Sequence, residues 1–337
     1  MGANPRWIVP FRVYELSIRT VDRCFLFRPN HDKKHPLLDA ASPPRCLSPD
    51  NDLIPESSVI NIIGAAVGRA MENHPIRIHA IESNINHIHV VYSLTESQMD
   101  NVVPFFRQML STIARKVNRL WNREGHLFGG RARMHPCLDD ESASQKVLYA
   151  MTNPAKDNLI DRTAHSPFFS TYHHQAKGRP LRYWYIDYDA YNTAGGKRKK
   201  SHRLKDYIKW VTFSTTPLPA HQSMTQSQRE TWFRKQVNAL DSHFSKERKQ
   251  TGQTVLGFEK LKETDPRDRP KHPKTSEKEP LCHCSDKDVR REFKKSWRDF
   301  MSQFIPASAD YRQGMREREF PFGSYRPPLF NVAGAIP

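Results

Sequence analysis

Ile76, Ile78 and Ala80 alternate with polar neighbours, and so do the residues from His87 to Tyr92, with Ser83-Asn84-Ile85-Asn86 between the two runs. Period-two alternation on both sides of a short polar turn predicts an antiparallel strand pair. This pair constrains the fold because both of its flanks carry helical periodicity. Before it, Val59, Ile60, Ile62, Ile63, Ala66, Val67 and Ala70 space out a helix over about 57–72, with Ser57 and Ser58 as candidate caps. After it, Val102, Phe106, Met109, Ile113, Val117 and Leu120 line one side of a helix over about 98–121.

Two outer segments complete the pattern. Residues 11–28, rich in aromatic and β-branched side chains, predict an extended hairpin or strand pair, and the stretch from Gly129-Gly130 to Leu138 predicts a further strand. A helix over about 142–152 then follows and stops at Asn153-Pro154, because the residue before proline resists helical dihedrals. The order β-α-β-β-α-β and then a helix predicts an α+β fold, a ferredoxin-like antiparallel sheet with helices on one side, ending near residue 175.

The chain has 337 residues, more than a single core usually takes, so two domains are expected, 1–175 and 176–337, the first of roughly 170 residues. The second is expected to be basic and mainly helical, with amphipathic helices at about 226–248 and 286–304 and a flexible linker near 262–280. A net charge of +17, from 53 Lys plus Arg against 36 Asp plus Glu, calls for an anionic partner. No stretch approaches the ~20 apolar residues of a membrane span, and the N-terminal run lacks a signal-peptide pattern, so nucleic acid is the expected partner and no membrane is. Five scattered cysteines argue for a reducing compartment, the cytoplasm or nucleoid.

Strand alternation puts His87 and His89 on one face while Ile88 turns to the other. With 16 His in the chain, composition alone yields roughly one His-x-His pair, so the pair in isolation reads as two surface histidines. Tyr149 and Asn153 stand one helical turn apart and so share a face. Taken singly they read as a core tyrosine and a helix-ending amide. Together the four residues can hold a divalent metal beside a phenol nucleophile.

These motifs resemble the HUH-type single-tyrosine transposases, and within them the REP-associated tyrosine transposases of bacteria. The matching segments are Phe11 to Arg28, Asn86-His87-Ile88-His89-Val90-Val91 as the His-hydrophobic-His strand, and Val147 to Pro154 as the tyrosine helix. Gly125-His126-Leu127-Phe128-Gly129-Gly130-Arg131 stands where that family has a Gly/aromatic/basic stretch. The likeness covers about residues 7–175. Ala155-Lys156-Asp157-Asn158-Leu159 lacks the Ala-Gly pair usual in this turn, and the C-terminal 160 or so residues lie outside the likeness.

The resemblance implies an HUH endonuclease core that cleaves and rejoins single-stranded or hairpin DNA, such as a repetitive extragenic palindrome, in transposition. Tyr149 would be the nucleophile, forming a 5′-phosphotyrosine, and His87, His89 and Asn153 would hold Mg²⁺ or Mn²⁺. Relatives include monomers and homodimers, so both states are open. Arg131 and Arg133, just before the tyrosine helix, are candidate phosphate contacts, as are Arg19 and Arg23 in the first segment. The basic run Lys197, Arg198, Lys199, Lys200 could track a phosphate backbone, with Tyr183-Trp184-Tyr185 either stacking on bases or buried in a strand.

Cys282-His283-Cys284 is too tightly spaced for an ordinary structural zinc site and reads as a solvated chance cluster, and His31 and His35 read as polar loop residues. The competing functional class is a nucleic-acid-binding regulator that keeps the fold without catalysis. A plasmid-type nicking enzyme fits less well, because those enzymes place the tyrosine before the histidines.

Overall fold

A computed structural model describes residues 5–30, 58–196, 204–271 and 280–327. The first six elements follow the expected order: β1 (Val13–Arg19), α1 (Val59–Asn73), β2 (Arg77–Ser83), β3 (His87–Ser93), α2 (Val102–Leu120) and β4 (Arg133–Cys137). The four strands form one antiparallel sheet in the order β2-β3-β1-β4, which is the interleaving of two β-α-β halves that defines the ferredoxin-like arrangement.

The sheet has two faces with different tasks. Tyr14, Leu16 and Ile18 of β1 and Ile88, Val90 and Tyr92 of β3 join α1 and α2 in the largest apolar cluster. Ser58 caps α1 by accepting from the Asn61 amide, and a Thr95/Gln98 capping box starts the 3-10 turn that leads into α2. The intervening positions, Val13 and then Glu15, Ser17 and Arg19 in register with Val91, His89 and His87, turn the other way. Val13 and Val91 on this face, with Ala80 of β2, pack against a third helix, α3 (Asp140–Lys156), while Arg19 stays exposed, so the helices lie on both sides of the sheet and not on one.

Residues 11–28 do not form a hairpin. Only β1 is extended, and as a central strand it already gives one edge to β3 and the other to β4, which leaves no edge for a hairpin partner. The chain leaves it through a 3-10 turn at Val21–Arg23, where Asp22 and Arg23 take positive φ, and Leu26 and Phe27 then bury into the core as loop residues.

Helix α3 also runs past its expected stop, continuing through Pro154 to Lys156. Proline inside a helix removes one donor and crowds the preceding turn. Here Pro154 and Ala155 are buried, and the Ala155 carbonyl accepts from Arg248 Nη1 at 3.1 Å, so tertiary contacts hold the extra turn.

The C-terminal part is mainly helical, as expected: α4 (Tyr172–Lys177), α5 (Tyr188–Thr193), α6 (Gln226–Thr251), α7 (Phe258–Glu263) and α8 (Lys287–Arg312), with a hairpin of β5 (Leu181–Ile186) and β6 (Ile208–Phe213). Leu181, Tyr183, Val211 and Phe213 join the first core directly, against α1. Gly64 and Gly68 make room for this, since a Cβ at Gly64 would meet the Tyr183 ring at 2.4 Å and one at Gly68 would meet Val211 at 2.5 Å. Lys262 falls in α7, so helical structure enters the segment expected to be a linker, of which 272–279 lie outside the described residues. Among the described residues no helix is long and apolar enough to cross a membrane.

Candidate active site

The β2-β3 turn and the α3 helix bring the four motif residues together. His87 and His89 project from β3 with their rings 4.8 Å apart, and the His89 ring meets the Tyr149 ring edge-on at 5.6 Å. His87 Nε2 lies 2.9 Å from Asn153 Oδ1. Both histidines and Asn153 are buried, while Tyr149 stays 36% exposed.

The hydrogen-bond network fixes which atoms face the centre. The Ile85 backbone amide donates to Asn84 Oδ1, so Asn84 presents its NH₂ to Asn153 Oδ1, and that assigns the Asn153 carbonyl to the site. Asn86 donates its NH₂ to the Arg23 carbonyl and therefore offers Oδ1 to His87 Nδ1 at 2.8 Å. Burial, together with His89 and Arg19, holds the His87 pKa well below its ordinary value, so the ring is neutral and its single proton sits on Nδ1. The lone pair of His87 Nε2 thus confronts the lone pair of Asn153 Oδ1. His89 Nδ1 is spent on Glu15 Oε1 at 2.7 Å, and its buried Nε2 has no hydrogen-bond partner.

His87 Nε2 and Asn153 Oδ1 therefore face each other as two acceptors, and the buried, unpartnered His89 Nε2 belongs to the neighbouring ring. A cation resolves that arrangement, and the outer partners, Glu15 and Asn86, are of the kind that orient metal-ligating imidazoles. Burial raises the Glu15 carboxyl, but the imidazoles of His283 and His89 and the charge of Lys146 outweigh it and leave Glu15 well below the usual carboxylate range. Among the described residues no three His, Cys, Asp or Glu side chains gather as a metal-binding group, so any cation here would depend on the Asn153 amide as its third protein donor.

Tyr149 sits in a stripe along α3. Lys146 and Lys156, one turn before and two turns after, place their ammonium groups 5.2 and 4.8 Å from its ring centre. Burial, with the negative charges of Asp157 and Glu15, raises the phenol pKa above its ordinary value of 10, and Arg19 and Asn153 only partly offset this. Tyr149, Asn153 and His87 line an open cavity of about 650 Å³ with Arg19, Arg23, Lys156 and, from the C-terminal part, Arg248.

Arg19 and Arg23 thus share the cavity with Tyr149. Arg131 and Arg133 instead line a neighbouring groove with Arg6, Trp7 and Trp297. Lys197, Arg198, Lys199 and Lys200 lie outside the described residues. Tyr183 and Trp184 are buried in β5, which favours the core reading of that cluster. Sequence reasoning missed Glu15, Asn84, Asn86, Lys146 and Lys156. The signal for Glu15 was available: it shares the polar face of β1 with Ser17 and Arg19, opposite Tyr14, Leu16 and Ile18. Cys282 and Cys284, expected to be solvated, are buried against Phe293 of α8.

No family model matches the chain, and a search of curated proteins finds no match. Among solved structures, the chain is similar to a REP-associated tyrosine transposase bound to a REP hairpin, at 16% identity and a TM-score of 0.36, over 54% of this chain and 90% of that one. So distant a likeness carries no residue roles across, and the site stands on its own geometry.

Proposed function

We propose that this protein is a metal-dependent DNA strand transferase that cuts and rejoins single-stranded or hairpin DNA through Tyr149. The observation that carries the proposal is the facing of two acceptors, His87 Nε2 and Asn153 Oδ1, next to the unpartnered His89 Nε2 and beside an exposed tyrosine in a cavity rimmed by Arg19, Arg23 and Lys156.

In the proposed reaction the Tyr149 oxygen attacks phosphorus, the phenol gives up its proton, and the 3′ oxygen leaves and takes one up. The products are a 5′-phosphotyrosine and a free 3′-OH, and attack by another 3′-OH reverses the step and joins new ends. The ester bond is conserved throughout, which distinguishes transfer from hydrolysis. A divalent ion held by His87, His89 and Asn153, Mg²⁺ or Mn²⁺, would supply Lewis-acid polarisation of a non-bridging phosphate oxygen. Arg19, Lys146 and Lys156 supply positive charge around a phenol whose raised pKa keeps it protonated at neutral pH. The chain's charge of +17 gives the DNA its sequence-independent attraction.

The test uses hairpin DNA with a single-stranded flank, labelled at either end, with Mn²⁺. The fragment downstream of the cut should become attached to the protein and the upstream fragment should be released. Tyr149→Phe should abolish attachment. Tight salt-dependent DNA binding without attachment under any divalent ion would favour a binding regulator instead.

A further inference from the structure

The Cys-His-Cys triplet belongs to an extended segment laid along the edge of β4. The His283 amide donates to the Pro136 carbonyl at 2.8 Å, and the Leu138 amide donates back to the His283 carbonyl at 2.9 Å, forming a parallel bridge between Cys137 and His283. Extended backbone alternates its side chains. Cys282 and Cys284 turn into an apolar patch with Phe293, Trp7 and Val289, and His283 turns toward the face that carries the site. The spacing that resembles a metal motif is therefore strand alternation.

Two contacts connect this segment to the site. His283 Nε2, without a hydrogen-bond partner, lies 3.9 Å from Glu15 Oε2, while Glu15 Oε1 accepts from His89 Nδ1 at 2.7 Å. The buried Glu15 carboxylate is thus flanked by one imidazole from β3 and one from the C-terminal part. Next to it, the Ser285 amide donates at 2.6 Å to Asp139, whose other oxygen caps α3 by accepting from the Ser142 amide at 2.6 Å. The segment accordingly touches both halves of the site, the orienter of His89 and the first turn of the tyrosine helix.

We propose that Cys282–Ser285 is a positioning clasp for the active site, in which His283 holds Glu15 in the orientation that engages His89 Nδ1 and so leaves His89 Nε2 unpartnered. His283 is a positioning residue and touches no reacting atom. The inference rests on the reading of His89 as a cation ligand for its purpose, but not for its geometry.

The experiment is ¹⁵N NMR of histidine-labelled full-length protein at neutral pH, with the His89 signals identified through His89→Asn, alongside calorimetric Mn²⁺ titration of the same samples. In the unaltered chain His89 should be the Nδ1–H tautomer. In His283→Phe, which keeps ring volume without a polar nitrogen, the tautomer ratio should move by roughly threefold or more, and Mn²⁺ should bind roughly 10-fold more weakly. His283→Gln, which keeps a donor near Nε2, should retain most of the original ratio. His283→Ala replaces the phenylalanine variant if that one loses its cooperative melt. An unchanged His89 tautomer in the Phe or Ala protein, or an equal shift with Gln, overturns the clasp. A shifted tautomer in a chain that binds no Mn²⁺ would keep the clasp and overturn the metal reading.

Discussion

His87 Nε2 and Asn153 Oδ1 lie 2.9 Å apart and both present lone pairs, one from a strand and one from the helix packed across it. Such a pair repels unless a cation or a proton enters, and the outer hydrogen bonds of His87 have already placed its proton elsewhere. The contact makes the site dependent on β3 and α3 staying in register.

Divalent ions should therefore stabilise the fold. Mn²⁺ at 100 times its Kd should add about 2.7 kcal/mol, read as a rise in Tm that a chelator reverses. His87→Ala and Asn153→Ala should each lose this rise. An equal rise in both variants would place the ion elsewhere.

The cavity arginines should contribute to DNA binding through charge. Arg19→Ala and Arg23→Ala should each lower the slope of log Kd against log salt by about 0.7 for a single strand. Fluorescence anisotropy over a salt series measures it. Slopes equal to that of the unaltered chain would remove these two residues from the DNA path.

How the site was and was not legible follows from which interactions are local. Alternation around Ile88 and the one-turn spacing of Tyr149 and Asn153 are local, and the two faces appeared as read. The end of α3 was misread because the turn after Pro154 is held by Arg248, 93 residues away. The role of residues 11–28 was misread because strand propensity does not say that β1 is central and has no free edge. The Cys-His-Cys triplet was dismissed because its partner strand, β4, is almost 150 residues earlier. Single-residue polarity in β1 did mark Glu15, but only the register with β3 gives that carboxylate a purpose.

The β5-β6 hairpin should contribute to the stability of the sheet core. Gly64→Ala puts a methyl 2.4 Å from the Tyr183 ring, so it should destabilise by about 1–3 kcal/mol in chemical denaturation. A smaller effect than an alanine at an exposed helix position would mean that Tyr183 does not pack there.

Acid should weaken the fold through His79, the extra residue of a bulge in β2. Its ring bonds the Thr216 carbonyl and the Ser93 hydroxyl, each at 2.9 Å, and burial lowers its pKa from 6.5 to about 4. The unfolded chain binds the proton more readily, so this stabilisation is present above pH 6.5 and is lost as pH falls toward 4, by about 3 kcal/mol at most. His79→Gln should flatten the fall of Tm across that window, and an unchanged profile would assign the acid sensitivity to other groups.

The central claim, that Tyr149 takes the 5′ phosphate, is tested most directly by mass spectrometry of the protein–DNA product formed with Mn²⁺ and trimmed by nuclease. The account predicts a nucleotide phosphate on the tryptic peptide from Val147 to Lys156, carried by Tyr149. A phosphate on any other residue, or no product with any divalent ion, would contradict it.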